Sequence, residues 1–252
     1  MITQRISELG EVSLAELASE FSVSEMTIRR DLDALEAGGD VRKVIGGAIS
    51  LIGKSVEPPF SARAVQAAKE KLHLAKLAVS LLKPHETVLL DSGSTVLAVA
   101  REIRGKGLGL TIVTPSVLAA IELVDEPDTN VILTGGLLRA GELSLTGAEA
   151  QEALLRYNCD VYFMGIAGLD GGRGASDYNR EEGEVKRAAV RASDRVIAVV
   201  DETKLGRIQL MTVALPTEIN AIVTDAPVTH PVLMDLRSAG VEVYCAEAGE
   251  AI

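Results

Sequence analysis

The sequence predicts two units of different class. The first is a small winged helix-turn-helix. The second is a larger α/β unit built on a doubly wound, largely parallel sheet. Three observations predict this. The first 50 residues carry helical periodicity and finish on an alternating stretch with two glycines. A segment containing Gly53, Pro58 and Pro59 follows. From residue 87, short β-branched runs alternate with helical segments.

Ile2, Ile6 and Leu9 fall at i, i+4, i+7 and give one apolar helix face, ended by Gly10. Ser13 and Glu16 have capping-box spacing, which predicts a helix from Leu14 to Phe21. After the turn Ser22-Val23-Ser24, Ser24 caps a third helix. Its core face is Ile28, Leu32 and Leu35, and Gly38-Gly39 stops it. The run Val41 to Ala48 alternates and turns on Gly46-Gly47, as a β-wing does. The Gly/Pro segment Leu51–Ser61 separates expected domains at 1–52 and 62–252. An amphipathic helix is predicted over Arg63–Leu82. Strands are predicted at Thr87–Leu90, Leu110–Thr114, Val131–Thr134, Val161–Ile166, Val196–Val200, Ala221–Thr224 and Val241–Cys245. They are continuously apolar, as strands covered on both faces are.

Composition narrows the function classes. The 252 residues carry a net charge of −11, so any nucleic-acid contact must come from a local basic face. Aromatic residues are 3% of the chain, which argues against a base-stacking platform for single strands. Cys159 and Cys245 lie far apart, and His73, His85 and His230 are scattered, so neither a metal site nor a cofactor is expected. The cysteines read as small apolar residues of a reducing cytoplasm. No secretory signal is read, and no apolar run is long enough to cross a membrane.

In a helix-turn-helix the second helix enters the major groove with its N-terminal residues at the base edges. Ser24, Thr27, Arg29 and Arg30 on that helix, with Arg42 and Lys43 on the wing, are the candidate DNA contacts. Arginine reads guanine through two hydrogen bonds, and threonine meets a phosphate or a thymine methyl. The competing reading pairs Arg29 and Arg30 with Asp31 and Asp33 as solvated charges. Residues 1–54 hold six Lys/Arg against nine Asp/Glu, so the basic groups matter through their grouping.

The second unit shows its chemistry at strand ends. Asp91-Ser92-Gly93-Ser94-Thr95 follows a hydrophobic strand and opens a helix, so backbone N–H groups and hydroxyls converge at a positive helix end. Thr114 and Ser116, Gly135 and Gly136, Asp170, and Asp201 with Lys204 follow later strands. Together they suit a phosphate carrying a polyol. Lys204 would meet the phosphate, and Asp91, Asp170 and Asp201 would accept hydroxyls. Taken singly, each residue serves equally well as a turn or cap.

The run Val12 to Ala18, then Val23-Ser24-Glu25-Met26-Thr27-Ile28-Arg29-Arg30-Asp31-Leu32, and the trailing Gly46-Gly47-Ala48 resemble the DeoR family of bacterial transcriptional regulators. The resemblance continues through Asp91–Thr95, Thr134-Gly135-Gly136, Gly147, Phe163 to Asp170, Glu184-Val185-Lys186 and Asp201 to Lys204. It implies a repressor that binds a double-stranded DNA operator and is released by a phosphorylated sugar. The sensing domain it implies is similar in fold to ribose-5-phosphate isomerase. Three positions depart from the family: Ile45 replaces a wing histidine, Pro115 replaces an asparagine, and helix 1 has fewer residues before Ile2. A homo-oligomer, dimer or tetramer, is expected from operator symmetry. The alternative function is a sugar-phosphate isomerase-like enzyme with an added helical domain. That chemistry needs a positioned carboxylate base, and no catalytic constellation is read.

Overall fold

The computed structural model describes residues 2–246 except 10, 38–40, 45, 51–53, 56 and 66. The chain forms two compact units that divide after residue 66. The first contains α1 (Ile2–Leu9), β1 (Glu11–Ser13), α2 (Leu14–Phe21), α3 (Glu25–Ala37), β2 (Val41–Val44), β3 (Gly47–Ser50) and α4 (Phe60–Val65).

The predicted caps form. The Ser13 hydroxyl accepts the Glu16 N–H at 3.1 Å, and the Glu16 carboxylate accepts the Ser13 N–H at 2.9 Å. Ser24 Oγ accepts the Thr27 N–H at 3.2 Å and starts α3. Ser22, in the left-handed region at φ 53°, ends α2. Ile6, Leu17, Ile28 and Leu32 are fully buried with Val12, Val41 and Ala48, and Leu35 packs against them. The wing gains a third strand that the pattern did not announce: the sheet order is β1-β3-β2. Here Gly47 has a steric reason. A Cβ at Gly47 would lie 2.1 Å from the Val12 carbonyl oxygen, so only glycine lets β1 approach β3 this closely. The expected stops at Gly10 and Gly38-Gly39, and the departure at Ile45, lie outside the described residues.

The predicted helix Arg63–Leu82 is two helices. α4 ends at Val65, and α5 (Ala68–Ser80) starts anew after Ala67, whose φ is +52°. Arg63 belongs to the first unit. It pairs with Glu57 at 2.9 Å and donates to the Pro58 carbonyl. Periodicity carried across the break because both helices are amphipathic.

In chain order the second unit continues with β4 (Thr87–Leu90), α6 (Ser94–Ile103), β5 (Thr111–Thr114), α7 (Val117–Leu123), β6 (Asn130–Leu133), β7 (Leu137–Arg139) and β8 (Ser144–Thr146). Then come α8 (Ala148–Leu154), β9 (Cys159–Gly165), β10 (Gly168–Asp170), β11 (Gly174–Asp177), α9 (Arg180–Arg191), β12 (Ser193–Val199), β13 (Met211–Ala214), β14 (Ala221–Thr224), α10 (Pro231–Ser238) and β15 (Glu242–Cys245). All seven predicted strands pair in parallel in one sheet, ordered β15-β14-β12-β9-β4-β5-β6.

That order reverses between β4 and β9. Helices before the reversal and after it therefore cover opposite faces. Leu74, Val96, Val99, Ile103, Ala119 and Leu123 of α5, α6 and α7 pack on Val88, Leu90, Val161 and Phe163. Leu154, Val185, Ala189, Leu233 and Leu236 of α8, α9 and α10 pack on Leu89, Tyr162, Met164 and Ala198. Alternate strand residues thus feed two cores, which is why these strands read as unbroken apolar runs. The sequence did not announce the hairpin β7–β8 or the antiparallel sheet β10-β11-β13.

Candidate functional site

The candidate DNA-reading surface is α3 and the wing. Ile28 and Leu32 face the core, so Met26, Thr27, Arg29, Arg30 and Asp33 are exposed. The Ser24 and Thr27 hydroxyls bond each other at 2.9 Å, so both act at the helix start. Lys43 is drawn back to α3: its ammonium pairs with Asp33 and lies 3.8 Å from Glu36, whose carboxylate accepts the Lys43 N–H at 2.7 Å. The Asp33 hydrogen bond raises the Lys43 pKa. The wing lysine expected on phosphate therefore also fastens the wing to the reading helix. Arg42 sits on β2, but its side chain lies outside the described residues.

In the second unit, the reversal between β4 and β9 opens the sheet at its C-terminal edge, where open α/β sheets bind ligands. Asp91 follows β4 there and Gly165 ends β9. Asp91 is buried and engaged on every side. Its Oδ2 accepts the Gly165 N–H at 2.9 Å and pairs with Lys186 Nζ at 2.5 Å, and its Oδ1 accepts the Ser92 N–H at 2.8 Å. Lys186, on α9, also donates to the Gly165 carbonyl at 2.9 Å and lies 3.4 Å from Asp177 of β11. Burial alone would strip the Lys186 charge. The carboxylates of Asp91, Asp177 and Glu182 outweigh burial and hold the ammonium charged, above the ordinary lysine range. Burial, with Asp91 and Asp177, pushes the Tyr162 hydroxyl well above its usual range.

One turn earlier on α9, Glu182 accepts the Ser144 hydroxyl at 2.5 Å and pairs with Arg139 at 3.0 Å. Burial opposes its ionisation, but Lys186, Ser144 and Arg139 prevail and hold the carboxyl below the usual glutamate range. Helix α9 thus joins the end of β4 to the hairpin β7–β8 through two buried side chains, four residues apart.

The expected contacts divide into two groups. Gly93 (φ 104°) precedes α6 without a side-chain cap, and Ser94 and Thr95 form the first turn. Ser92, Gly93, Ser94 and Thr95 thus frame a helix N-terminus, the kind of position that holds anions. Gly135 and Gly136 follow β6 and are exposed. Lys204 sits on a 3-10 turn after β12. Thr114 and Ser116 turn inward. Thr114 donates to the Leu90 carbonyl at 2.7 Å and accepts the Ser116 N–H at 3.0 Å, while Ser116 caps α7. Asp170 accepts the Gly172 and Arg173 N–H groups, and Asp201 caps the Glu202–Lys204 turn. Their polar atoms hold turns beside the crevice. Pro115 is buried and its carbonyl accepts the Leu145 N–H at 2.8 Å, which ties this loop to the hairpin.

Lys186 and Glu182 were the functional-site residues missed by sequence reasoning. Lys186 stood inside a family string, but a helix pattern alone does not reveal that a charged residue is buried. A cleft of about 520 Å³, lined by Arg195, Thr217, Asn220, Glu242 and Tyr244, lies at the opposite, N-terminal edge of the sheet. Among the described residues no metal-ligating cluster occurs, and no helix is long and apolar enough to cross a membrane.

Comparison with known proteins places the chain among relatives. Residues 1–52 match the DeoR-like helix-turn-helix domain, and residues 66–226 match the DeoR C terminal sensor domain. The HTH-type transcriptional regulator GolR of Listeria innocua is 33% identical over 246 residues, covering 98% of this chain and 96% of that protein. The glycerol-3-phosphate regulon repressor of Escherichia coli K12 is 31% identical over 226 residues, covering 90% and 89%. Ribose 5-phosphate isomerase A of Methanocaldococcus jannaschii superposes with a TM-score of 0.42 at 20% identity, covering 56% of this chain and 55% of that one. The chain belongs to the DeoR family of transcriptional regulators, with the family's helix-turn-helix at its N-terminus and the family's sensor domain behind it.

Proposed function

We propose that this chain represses a sugar-metabolism operon, and that a phosphorylated sugar bound by the second unit sets its operator affinity. Residues 1–52 read double-stranded DNA and residues 62–252 hold the effector, in the cytoplasm. The observation that carries the reading is the glycine-led start of α6 at the sheet's switch point. Ser92, Gly93, Ser94 and Thr95 hold the phosphate, with Lys204 as its cationic partner. Gly135 and Gly136 border the sugar on the β6 side. Asp170 and Asp201 present their remaining lone pairs to hydroxyls. The chain acts as a regulator and not an isomerase: Asp91, Asp177 and Glu182 already face Lys186 or Arg139 and are poorly placed as a free base.

The working form is a homo-oligomer. The edge strand β6 and its neighbours expose Ile121, Val124, Leu137 and Leu138, which suit a second copy of the chain.

The test pairs two measurements. Thermal shift with a panel of sugar phosphates identifies the effector, because a ligand bound only by the folded state at 100 times its Kd adds about 2.7 kcal/mol. Operator affinity by fluorescence anisotropy then falls when that effector is added. Unchanged operator affinity with every stabilising sugar phosphate sinks the coupling. Lys204→Ala weakens the phosphorylated sugar far more than its dephosphorylated form, and equal losses remove Lys204 from the phosphate.

A further inference from the structure

We propose that Met26 sets operator specificity by packing on a thymine methyl group beside the base read by Arg30. The inference rests on α3 being the reading helix.

Counting round α3, Ile28 and Leu32 mark the buried side, and Met26, Arg30 and Asp33 (i, i+4, i+7) form the stripe opposite. Met26 is 64% exposed, and Val23 in the preceding turn is 40% exposed. Two polar side chains at the same helix start are occupied, and the third, Glu25, is acidic and repels phosphate. Ser24 and Thr27 bond each other, and Ser24 also caps the Thr27 N–H. Met26 is therefore the side chain that projects from the first turn on the outward stripe, one helical turn ahead of Arg30.

That position is where a reading helix meets base edges. Neighbours at i and i+4 are about 5–6 Å apart, which spans one to two base steps of the groove. The chemistry then selects the partner. Methionine carries no donor and only a weak acceptor, so it gains nothing from the polar base edges. The thymine methyl is the apolar group of the major groove. An unbranched thioether also adapts its shape to a methyl without fixing one approach. The two side chains then read different features: Arg30 takes a guanine by hydrogen bonds, and Met26 takes a thymine by contact.

Deoxyuridine supplies the test, because it pairs as thymine does and lacks only the 5-methyl group. Duplexes enriched from a random library by the full chain are resynthesised with each thymine changed singly to deoxyuridine. Affinities are read by anisotropy. Wild type loses about fourfold at one thymine per half-site, the scale expected for one methyl leaving an apolar contact. Met26→Ala binds the thymine and deoxyuridine duplexes equally and keeps the preference for guanine at the neighbouring position. Met26→Leu retains the methyl dependence. Circular dichroism of Met26→Ala matches wild type, since the side chain lies outside the core. If no thymine shows a methyl effect, or Met26→Ala retains it in full, the assignment to Met26 falls while DNA binding stands. If no sequence is enriched at all, the reading role of α3 falls with it.

Discussion

The α3 surface and the crevice after β4 use the same residue types in opposite ways. On α3 the charges are exposed: Arg29, Arg30, Asp31 and Asp33 face solvent, and Lys43 swings in from the wing to pair with Asp33. Beside β4 the charges are buried: Asp91 and Asp177 pair with Lys186, and Glu182 pairs with Arg139. An exposed pair contributes little to stability and exchanges partners readily, so those charges remain available to phosphate. A buried pair is costly to break, so those charges fix geometry. On the function proposed above, DNA reading falls to a surface that can re-pair, and effector sensing to a loop whose backbone is held rigidly from beneath.

The largest expected effect tests that rigidity. Lys186→Met leaves Asp91 and Asp177 buried without their cation and lowers unfolding free energy by about 3–5 kcal/mol. Urea denaturation measures this, and adding Asp91→Asn restores part of the loss. A change below about 1 kcal/mol would erase the contrast between the two regions. Thr114→Val comes next. It removes the donor to the buried Leu90 carbonyl and costs about 1–3 kcal/mol, while affinity for the effector stays unchanged. A loss of effector affinity in this variant would return Thr114 to the ligand-facing group.

Glu182 sharpens the comparison through pH. Its folded pKa lies below the unfolded value of about 4.3. Its contribution is thus present above that value and is lost as pH falls through the folded one. Glu182→Gln should be less stable than wild type at pH 6, with the gap narrowing as pH drops below about 4.3. A constant gap argues that the carboxylate is not ionised in the fold. The smallest effect belongs to the exposed region. Asp33→Asn frees Lys43 and removes a negative charge from the reading face. Operator affinity rises at low salt, and the slope against salt steepens by about one counterion. An unchanged slope means that Lys43 serves only to fasten the wing.

Much of the first unit was legible along the chain. Capping pairs such as Ser13–Glu16 and helix faces such as Ile28–Leu32 are local, so spacing alone specifies them. The seven sheet strands were legible for a similar reason: burial on both faces leaves unbroken apolar runs. Three features escaped because a residue pattern does not show which atoms its groups will meet. Strand β1 exists because Gly47 admits it beside β3. The break at Ala67 interrupts an amphipathic pattern that reads as continuous. Asp170, Asp201, Thr114 and Ser116 have the composition of ligand contacts, and their hydrogen bonds also hold turns and neighbouring backbone.

By itself the sequence determined the two units, their classes and the loop after β4, because periodicity, caps and strand–helix alternation are written within a few residues. The tertiary structure alone decided which polar groups face each other. Lys186 lies 95 residues from Asp91 and joins it only where α9 crosses the switch point of the sheet. Burial there turns a surface-type residue into the cation that holds the sensing loop, because in a low-dielectric interior a charge must find its partner.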